Sequence, residues 1–220
     1  MPPSPPLSDL PEIEPWTADD ELLESTREDG RPRLRFHVPE HPHIVVGRGA
    51  KPALEVHLER ARADGIPVRR RPGGGGAVVL DPGNLVVSLA LPTTGPGDLD
   101  RRVSRIMGWF LEGLSNAGIS GLQRRGFSDI TLGDWKVSGS GMFQPRKTLY
   151  FSATLLVDAD LRLMDRYLLH PPKEPDYRQG RPHREFVTNL AKHYPGLTVE
   201  ILQERLAEYL EAEKAIRSSP

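Results

Sequence analysis

The sequence contains no cysteine, and this absence excludes several kinds of chemistry at once. Without cysteine there are no disulfide bonds, no thiolate nucleophile and no zinc site built on thiolates. A long hydrophobic run is also missing: the longest, Leu85–Leu91, is interrupted by Ser88 and is too short to cross a bilayer. The first residues show neither the charged start nor the apolar segment of a secretory signal. We therefore expect a cytoplasmic protein with no membrane partner.

The sequence has no excess of charge of either sign. Lysine and arginine total 29, against 30 aspartate and glutamate residues, which argues against a nucleic-acid partner held by the whole surface. Glycine and proline are abundant instead, with 21 and 22 residues in a chain of 220, so turns and hairpins should be frequent. The length fits one large domain or two small ones.

Local patterns along the chain predict an α+β fold with a mixed sheet. Six of the first fifteen residues are proline, so residues 1–15 are predicted to form an extended arm without regular structure. Helical periodicity predicts helices at 19–28, at 51–64, from about 98 to Gly118, at 161–168 and from Thr198, with Leu54, Leu58 and Ala61 on the buried face of the second. Strands are predicted at 33–38, 43–47, 68–71, 77–81, 85–91 and 148–157.

The first motif with chemical potential is a glycine run that follows a basic strand. Arg69, Arg70 and Arg71 lead into four consecutive glycines at 73–76, and a second predicted strand follows. Glycine has no Cβ, so several main-chain amides can approach one ligand and form a cradle for an anion. Adjacent guanidinium groups would add bidentate contacts to phosphate. The alternative is a flexible hairpin loop beside a solvated strand, and the spacing matches neither a Walker loop nor a dinucleotide-binding motif.

The second motif is a predicted hairpin over residues 128–141, with its turn at Gly133-Asp134. Pairing outward from this turn places Leu132 opposite Trp135, Thr131 opposite Lys136, Ile130 opposite Val137 and Asp129 opposite Ser138. Because side chains alternate between the faces of a strand, one face would be apolar and the other would carry Asp129, Thr131, Lys136, Ser138 and Ser140. An ordinary solvated hairpin would show the same pattern, so a functional face and a surface face both remain open.

Other candidate residues have weaker patterns. His37, His41 and His43 are close together, but their proline-containing loop lacks the usual spacing of metal ligands, so no metal site is predicted. Residues 171–184 are interpreted as a solvated loop, from which Arg178 and Arg181 could reach a phosphate or an acidic partner.

Taken in order, these motifs resemble the lipoate–protein ligase A family, part of the superfamily of biotin and lipoate ligases and octanoyltransferases. The glycine run with its arginines and the motif Lys136-Val137-Ser138-Gly139-Ser140 are specific in combination. Shorter matches run collinearly with them: Val45–Arg48, Asp81-x-Gly83-Asn84, Ser128–Ile130, Thr154–Leu156 and Val187–Leu190. The resemblance implies a largely antiparallel sheet flanked by helices, the catalytic domain of the biotin/lipoate ligases. It further implies that residues 16–220 form one such domain, without the C-terminal accessory domain of many ligases.

The resemblance also implies a function and a set of site residues. The implied activity is ATP-dependent: lipoate or octanoate is activated as acyl-AMP and transferred to a lysine of a lipoyl-carrier protein, with Mg²⁺ accompanying ATP. Lys136 is the implied catalytic residue. The implied adenylate site comprises Arg70, Arg71, Gly74, Gly75, Gly76, Ala77, Val78, Val79, Asp81, Asn84, Asp129 and Lys136. The implied lipoate contacts are Lys136, Gly75, Ser138, Ser140 and Thr154. A small accessory domain encoded separately is the second implied partner.

The missing cysteine also distinguishes between relatives within this superfamily. Its octanoyltransferases pass the acyl group through a cysteine thioester, which this chain cannot form. Two departures from the family pattern remain: Leu80 replaces a common histidine, and Tyr150–Ala153 replace the common His-His-Gly. The replacement at Tyr150–Ala153 leaves open a protein that binds acyl-adenylate without catalysis. A separate alternative is an acyltransferase that uses another acyl donor and no cysteine.

Overall fold

The chain forms two β-sheets with helices packed against them. The computed structural model describes residues 12–93, 99–144 and 147–217. The described strands are β1 Ile13–Pro15, β2 Arg33–His37, β3 His43–Val46, β4 Val68–Arg70, β5 Val78–Leu80, β6 Asn84–Pro92, β7 Leu122–Arg125, β8 Asp129–Leu132, β9 Trp135–Phe143 and β10 Thr148–Leu156. The described α-helices are α1 Asp20–Asp29, α2 Pro52–Glu55, α3 Leu58–Ala63, α4 Leu99–Asn116, α5 Arg162–Tyr167, α6 His183–Phe186, α7 Val199–Tyr209 and α8 Ala212–Arg217.

The larger sheet has the order β2-β6-β10-β9-β8-β7, and all its neighbouring strands are antiparallel. The smaller sheet has the order β1-β4-β3-β5. In it, β4 runs parallel to both β1 and β3, whereas β5 is antiparallel to β3. The predicted α+β class with largely antiparallel pairing is therefore confirmed, although the strands are divided between two sheets.

Alternation along β6 and β10 gives the larger sheet two different faces. Val87, Leu89 and Phe151 belong to the main core, which includes buried residues of α4, α7 and α8. On the opposite, inner face, Val86 packs with residues of the smaller sheet, and Tyr150 packs with residues of α1. The candidate site lies on this inner face.

Two predictions about the N-terminal third are wrong in part. Residues 13–15 form β1, which pairs with β4 at the edge of the smaller sheet, where proline is tolerated; residues 1–11 lie outside the described residues. The predicted helix at 51–64 is divided into α2 and α3, because Val56 adopts an extended conformation and bridges to Leu168. Leu54 is consequently 53% exposed, whereas Leu58 and Ala61 are buried as predicted.

The remaining helix predictions agree better with the structure. Helices α1, α4 and α5 lie at the predicted places. Helix α7 begins after Thr198, whose hydroxyl accepts a hydrogen bond from the Ile201 amide. Helix α8 was not predicted, and the predicted loop at 171–184 contains a 3₁₀ turn and the start of α6. In the described part of the chain, no helix has the length and hydrophobicity needed to cross a membrane.

Candidate active site

The glycine loop, residues 73–76, follows β4 and presents main-chain donors at the surface. Gly74, Gly75 and Gly76 are exposed, and their amides donate no hydrogen bond to another described residue. Gly75 has a φ of 95°, a conformation that glycine adopts without strain. The loop therefore has the exposed, unpaired amides that an anion cradle requires.

The two arginines before the loop bind main-chain carbonyls. Arg70 Nη1 donates to the carbonyls of Gly47, Arg48 and Ala50 at 2.9, 3.2 and 3.2 Å. Arg71 donates to three other carbonyls, those of Val45, Gly74 and Gly76, at distances of 2.8–3.2 Å. Both side chains thus fix the glycine loop and the segment of residues 45–50 beside it. Burial lowers the pKa of Arg71. Their contact with phosphate stays a prediction.

Glu55 holds the other end of the loop, and sequence analysis missed it. Its Oε2 accepts a hydrogen bond from the Ala77 amide at 2.6 Å, and the residue is only 8% exposed. The same carboxylate lies close enough to Arg71 to favour the charged guanidinium. An acidic residue at the end of a four-residue helix belongs to no motif that we recognised, so its role becomes visible only when the fold places α2 beside the loop.

The hairpin of β8 and β9 contains a β-bulge that sequence analysis did not predict. Leu132 pairs with Trp135 and Thr131 with Lys136, as expected, but Ile130 pairs with Ser138. The predicted pairs Ile130–Val137 and Asp129–Ser138 are therefore wrong. Val137 is the extra residue of the bulge, and both Val137 and Ser138 are buried.

The bulge divides the predicted polar face. Ser138 and Ser140 turn toward the helix side of the sheet, where the Ser140 hydroxyl contacts Met107 of α4. Ser138 Oγ is buried without a hydrogen-bond partner among the described residues, and Thr131 is fully buried. This placement does not support the predicted contacts of Ser138 and Ser140 with lipoate.

Lys136 lies on the inner face and forms an ion pair with Asp129, with 2.8 Å between Nζ and Oδ1. The second oxygen of Asp129 accepts a hydrogen bond from the Tyr177 hydroxyl at 2.7 Å. Gly139 lies directly beside the lysine, since a Cβ there would come 2.9 Å from Nζ. The ammonium group is therefore directed by a fixed carboxylate and by a neighbour that leaves room for it.

Gly139 and Gly141 of β9 lie between the Lys136 side chain and the glycine loop. A Cβ at Gly141 would lie 3.4 Å from the Gly74 carbonyl oxygen and 3.9 Å from Arg71 Nε. Gly139 and Gly141 are two residues apart in one strand, so they lie on the same face. Lys136 and the glycine loop thus border the same space. Thr154, a predicted lipoate contact, pairs with Gly139 and shares this face.

Asp81 and Asn84, both predicted at the adenylate site, are engaged in the turn between β5 and β6. Asp81 accepts hydrogen bonds from the amides of Gly83 and Asp160 at 2.8 and 2.7 Å, and burial raises its pKa. Asn84 Oδ1 accepts a hydrogen bond from the Asp81 amide at 2.8 Å. These side chains secure the turn. In β5, Val79 packs in the core of the smaller sheet, and Val78 packs beside the cluster around Trp16.

Residues of the segment that departs from the family pattern form a hydroxyl network on the inner face. Tyr150 donates to Asp19 Oδ2 at 2.5 Å, and its oxygen lies 3.5 Å from Ser88 Oγ. Ser88 in turn donates to Ser152 at 3.3 Å. Burial, followed by the nearby charge of Asp19, raises the pKa of Tyr150, so its hydroxyl remains protonated.

The sequence is similar to a known family and to several known proteins. The model of the lipoyl protein ligase A/B catalytic domain matches residues 12–211. A protein of Aeropyrum pernix, named as a candidate lipoate-protein ligase A, is 37% identical over 142 residues, which are 64% of this chain and 52% of the relative. A lipoate–protein ligase of Streptococcus pyogenes is 29% identical over 164 residues, 72% of this chain and 47% of the relative. The chain therefore spans about half the length of these curated relatives.

Solved structures share the fold. A lipoate-protein ligase A bound with ATP has a TM-score of 0.73 and 21% identity, over 90% of this chain and 78% of that one. A bipartite lipoate protein ligase of Thermoplasma acidophilum, studied with its E2 lipoyl domain, has a TM-score of 0.75 and 20% identity, over 94% and 82% of the two chains. Because the family model covers nearly all described residues, the chain belongs to the lipoyl protein ligase A/B catalytic domain family.

Proposed function

We propose that the protein is an ATP-dependent lipoate–protein ligase. It activates lipoate or octanoate as acyl-AMP and transfers the acyl group to a lysine of a lipoyl-carrier domain. The observation that carries this proposal is the absence of cysteine from a chain of this family. A thioester route needs a thiolate nucleophile, whereas an acyl-adenylate is itself a reactive acyl donor.

The geometry of the site suits the first half-reaction. When a carboxylate attacks the α-phosphate of ATP, a carboxylate–phosphorus bond forms, the bond from the α-phosphorus to the bridging oxygen breaks, and pyrophosphate leaves with that electron pair. Negative charge accumulates on the phosphate oxygens during this step. Preorganised amides and an ammonium group stabilise such charge without having to reorganise. The exposed amides of Gly74, Gly75 and Gly76 and the Lys136 ammonium border one space, which supports an adenylate site there.

Lys136 has a second task in transfer to the carrier. Its ammonium polarises the acyl carbonyl of the mixed anhydride while the uncharged amine of the acceptor lysine attacks the carbonyl carbon. An amide bond forms, the bond from the acyl carbon to the phosphate oxygen breaks, and AMP leaves with that electron pair. The acceptor nitrogen loses a proton to solvent. No protein nucleophile takes part, so the protein contributes positioning and charge.

The accompanying Mg²⁺ is proposed to be held chiefly by the phosphate oxygens of ATP, as is usual for this ion. The described residues contain no group of three or more histidine or acidic side chains that could hold a metal. We therefore assign the ion no protein ligand and no step. We further propose that the protein works in the cytoplasm with a lipoyl domain as acceptor, and this acceptor is supported by the bipartite relative studied with its own lipoyl domain.

The test incubates the protein with lipoate, ATP, Mg²⁺ and an apo lipoyl domain, and measures the mass of the carrier. We expect the addition of one lipoyl group that depends on ATP. Because the chain spans about half of its curated relatives, a second reaction adds a candidate accessory domain as a separate chain. A third reaction replaces lipoate and ATP with synthetic lipoyl-AMP.

The outcomes separate the alternatives. A carrier that gains no mass in any of the three reactions contradicts the proposal and favours a protein that only binds the adenylate. A fourth reaction offers an octanoyl-carrier protein as the acyl donor without ATP, and transfer in that reaction would instead identify an acyltransferase that does not use cysteine.

A further inference from the structure

The segment of residues 175–188 crosses the hairpin that carries Lys136. The Thr188 amide donates to the Lys136 carbonyl at 3.1 Å. Arg181 donates through both terminal nitrogens to the Asp134 carbonyl in the hairpin turn, each at 3.1 Å. The Tyr177 hydroxyl donates to Asp129 Oδ2 at 2.7 Å and so reaches the partner of the catalytic lysine.

Aromatic and guanidinium groups fix this segment. Arg178 is 4% exposed, lies 4.8 Å from the centre of the Phe186 ring and donates to the Arg181 carbonyl at 2.9 Å. Arg181 lies 5.3 Å from the centre of the same ring. The centres of the Tyr177 and Phe186 rings are 5.3 Å apart. The Arg125 guanidinium lies over the Tyr177 ring, 4.9 Å from its centre. The phenol is therefore held by its ring, and its hydroxyl has a defined direction.

We infer that Tyr177 is a positioning residue for Lys136 and that it acts through Asp129. This inference rests on the proposed function, because the role concerns acyl transfer. A carboxylate can bind an ammonium group with either or both of its oxygens, and Tyr177 occupies Oδ2 so that Oδ1 faces Lys136. Without the hydroxyl, both oxygens are available to the ammonium, which is then drawn toward Asp129 and away from the acyl carbonyl.

The Tyr177 hydroxyl is suited to this task as a permanent donor. Burial, and then the charge of Asp129, raises the pKa of Tyr177 well above its usual range. The phenol therefore stays protonated at neutral pH and continues to donate to the carboxylate.

The test compares Tyr177→Phe with Tyr167→Phe in single-turnover transfer from saturating lipoyl-AMP to the carrier. Tyr167 is a matched control, because its hydroxyl donates to a different carboxylate, Asp64 Oδ2 at the end of α3, at the same 2.7 Å distance. We expect Tyr177→Phe to slow transfer about tenfold, as for one lost hydrogen bond to a charged group. Tyr167→Phe should transfer at the wild-type rate. Phenylalanine keeps the ring contacts, so both variants should fold.

A double-mutant cycle distinguishes positioning from general support of the fold. In an Asp129→Ala background, which lacks both side-chain oxygens, Tyr177→Phe should cause no further slowing, because the phenol acts through the carboxylate. Equal slowing in both backgrounds, or a Tyr177→Phe variant as fast as wild type, overturns the inference and leaves the ligase proposal intact. A wild-type protein that adds no lipoyl group to the carrier from lipoyl-AMP, or from lipoate and ATP with or without the accessory domain, contradicts the ligase proposal, and the inference falls with it.

Discussion

Lys136 occupies the inner face of the larger sheet, opposite Thr131, and one extra residue, Val137, shifts the register of the strand that follows it. The same shift places Gly139 beside the ammonium group and Gly141 beside the glycine loop. At the scale of single residues, the proposed site therefore combines one charge with small neighbours that leave space around it.

Replacing Lys136 with alanine removes the charge that both half-reactions are proposed to use. We expect transfer from synthetic lipoyl-AMP to slow by about 10²-fold or more, the usual loss when one preorganised transition-state donor is removed. Lys214→Ala, in α8, is the matched control and should transfer at the wild-type rate. The carrier's mass is followed over a single turnover, and a Lys136→Ala variant as fast as wild type would refute the mechanism.

Gly139→Ala tests the space beside the lysine without changing any charge. The new methyl group would lie 2.9 Å from Lys136 Nζ and 3.0 Å from Cε, so the flexible lysine must move aside. We expect transfer to slow about tenfold because the ammonium is misplaced, while thermal stability stays close to that of wild type. Gly108→Ala in α4, where nothing lies within 4 Å of the new atom, is the control. Unaltered transfer by Gly139→Ala would show that this space is not needed.

At the scale of elements, short helices hold the loop and the sheets in place. Helix α2 ends at Glu55, which binds the Ala77 amide at the exit of the glycine loop. Helices α3 and α5 are joined by Asp64, which accepts hydrogen bonds from Arg166 and Tyr167. Each contact joins positions far apart in sequence. Each depends on one carboxylate, so one substitution can test it.

Glu55→Ala is expected to loosen the glycine loop. The Ala77 amide loses its acceptor, so a non-reactive analogue of lipoyl-AMP should bind about tenfold more weakly, as for the loss of one hydrogen bond to a charged group. Glu55→Gln keeps an acceptor oxygen and should bind more tightly than Glu55→Ala. Calorimetric titration measures both affinities, and equal affinities for wild type and Glu55→Ala would exclude this role.

The ion pair of Asp64 with Arg166 predicts how the stability of the protein depends on pH. Hydrogen bonds from Arg166 and then Tyr167 lower the pKa of Asp64 to about 2. A carboxylate with a lowered pKa in the folded state stabilises the fold above its unfolded pKa of about 3.9, and this contribution is lost as the pH falls through the folded value. Asp64→Asn should therefore melt at a lower temperature than wild type at neutral pH, and the difference should shrink between about pH 4 and pH 2. Asp165→Asn, in α5, is the control; a difference in melting temperature that does not depend on pH would contradict this account.

At the scale of the whole molecule, stability comes from the core between the larger sheet and its helices. Phe151 is fully buried there, with its ring 5.9 Å from that of Phe110. We expect Phe151→Ala to lower the free energy of unfolding by about 3–5 kcal/mol. Phe127→Ala, at a side chain that is 52% exposed, should change it by only about 0.5 kcal/mol. Urea unfolding of both variants measures the difference, and similar losses would contradict the assignment of the core.

The family, the α+β class and the two motifs that carry the proposed chemistry were all predictable from the amino-acid sequence. It also predicted the hairpin turn, where Gly133 has a φ of 57°. These features depend on residues that are close together in the chain, where composition and alternation are informative.

Which side chains lie together at the candidate site depends on contacts between segments that are distant in sequence. The hairpin turn sets the pairing of β9 with β8 near the turn, but β9 also pairs with β10, and the resulting bulge turns Ser138 and Ser140 away from Lys136. Glu55 and Tyr177 reach the site from segments distant in sequence. Such contacts follow from the packing of whole sheets and helices, which local patterns in a single sequence do not specify.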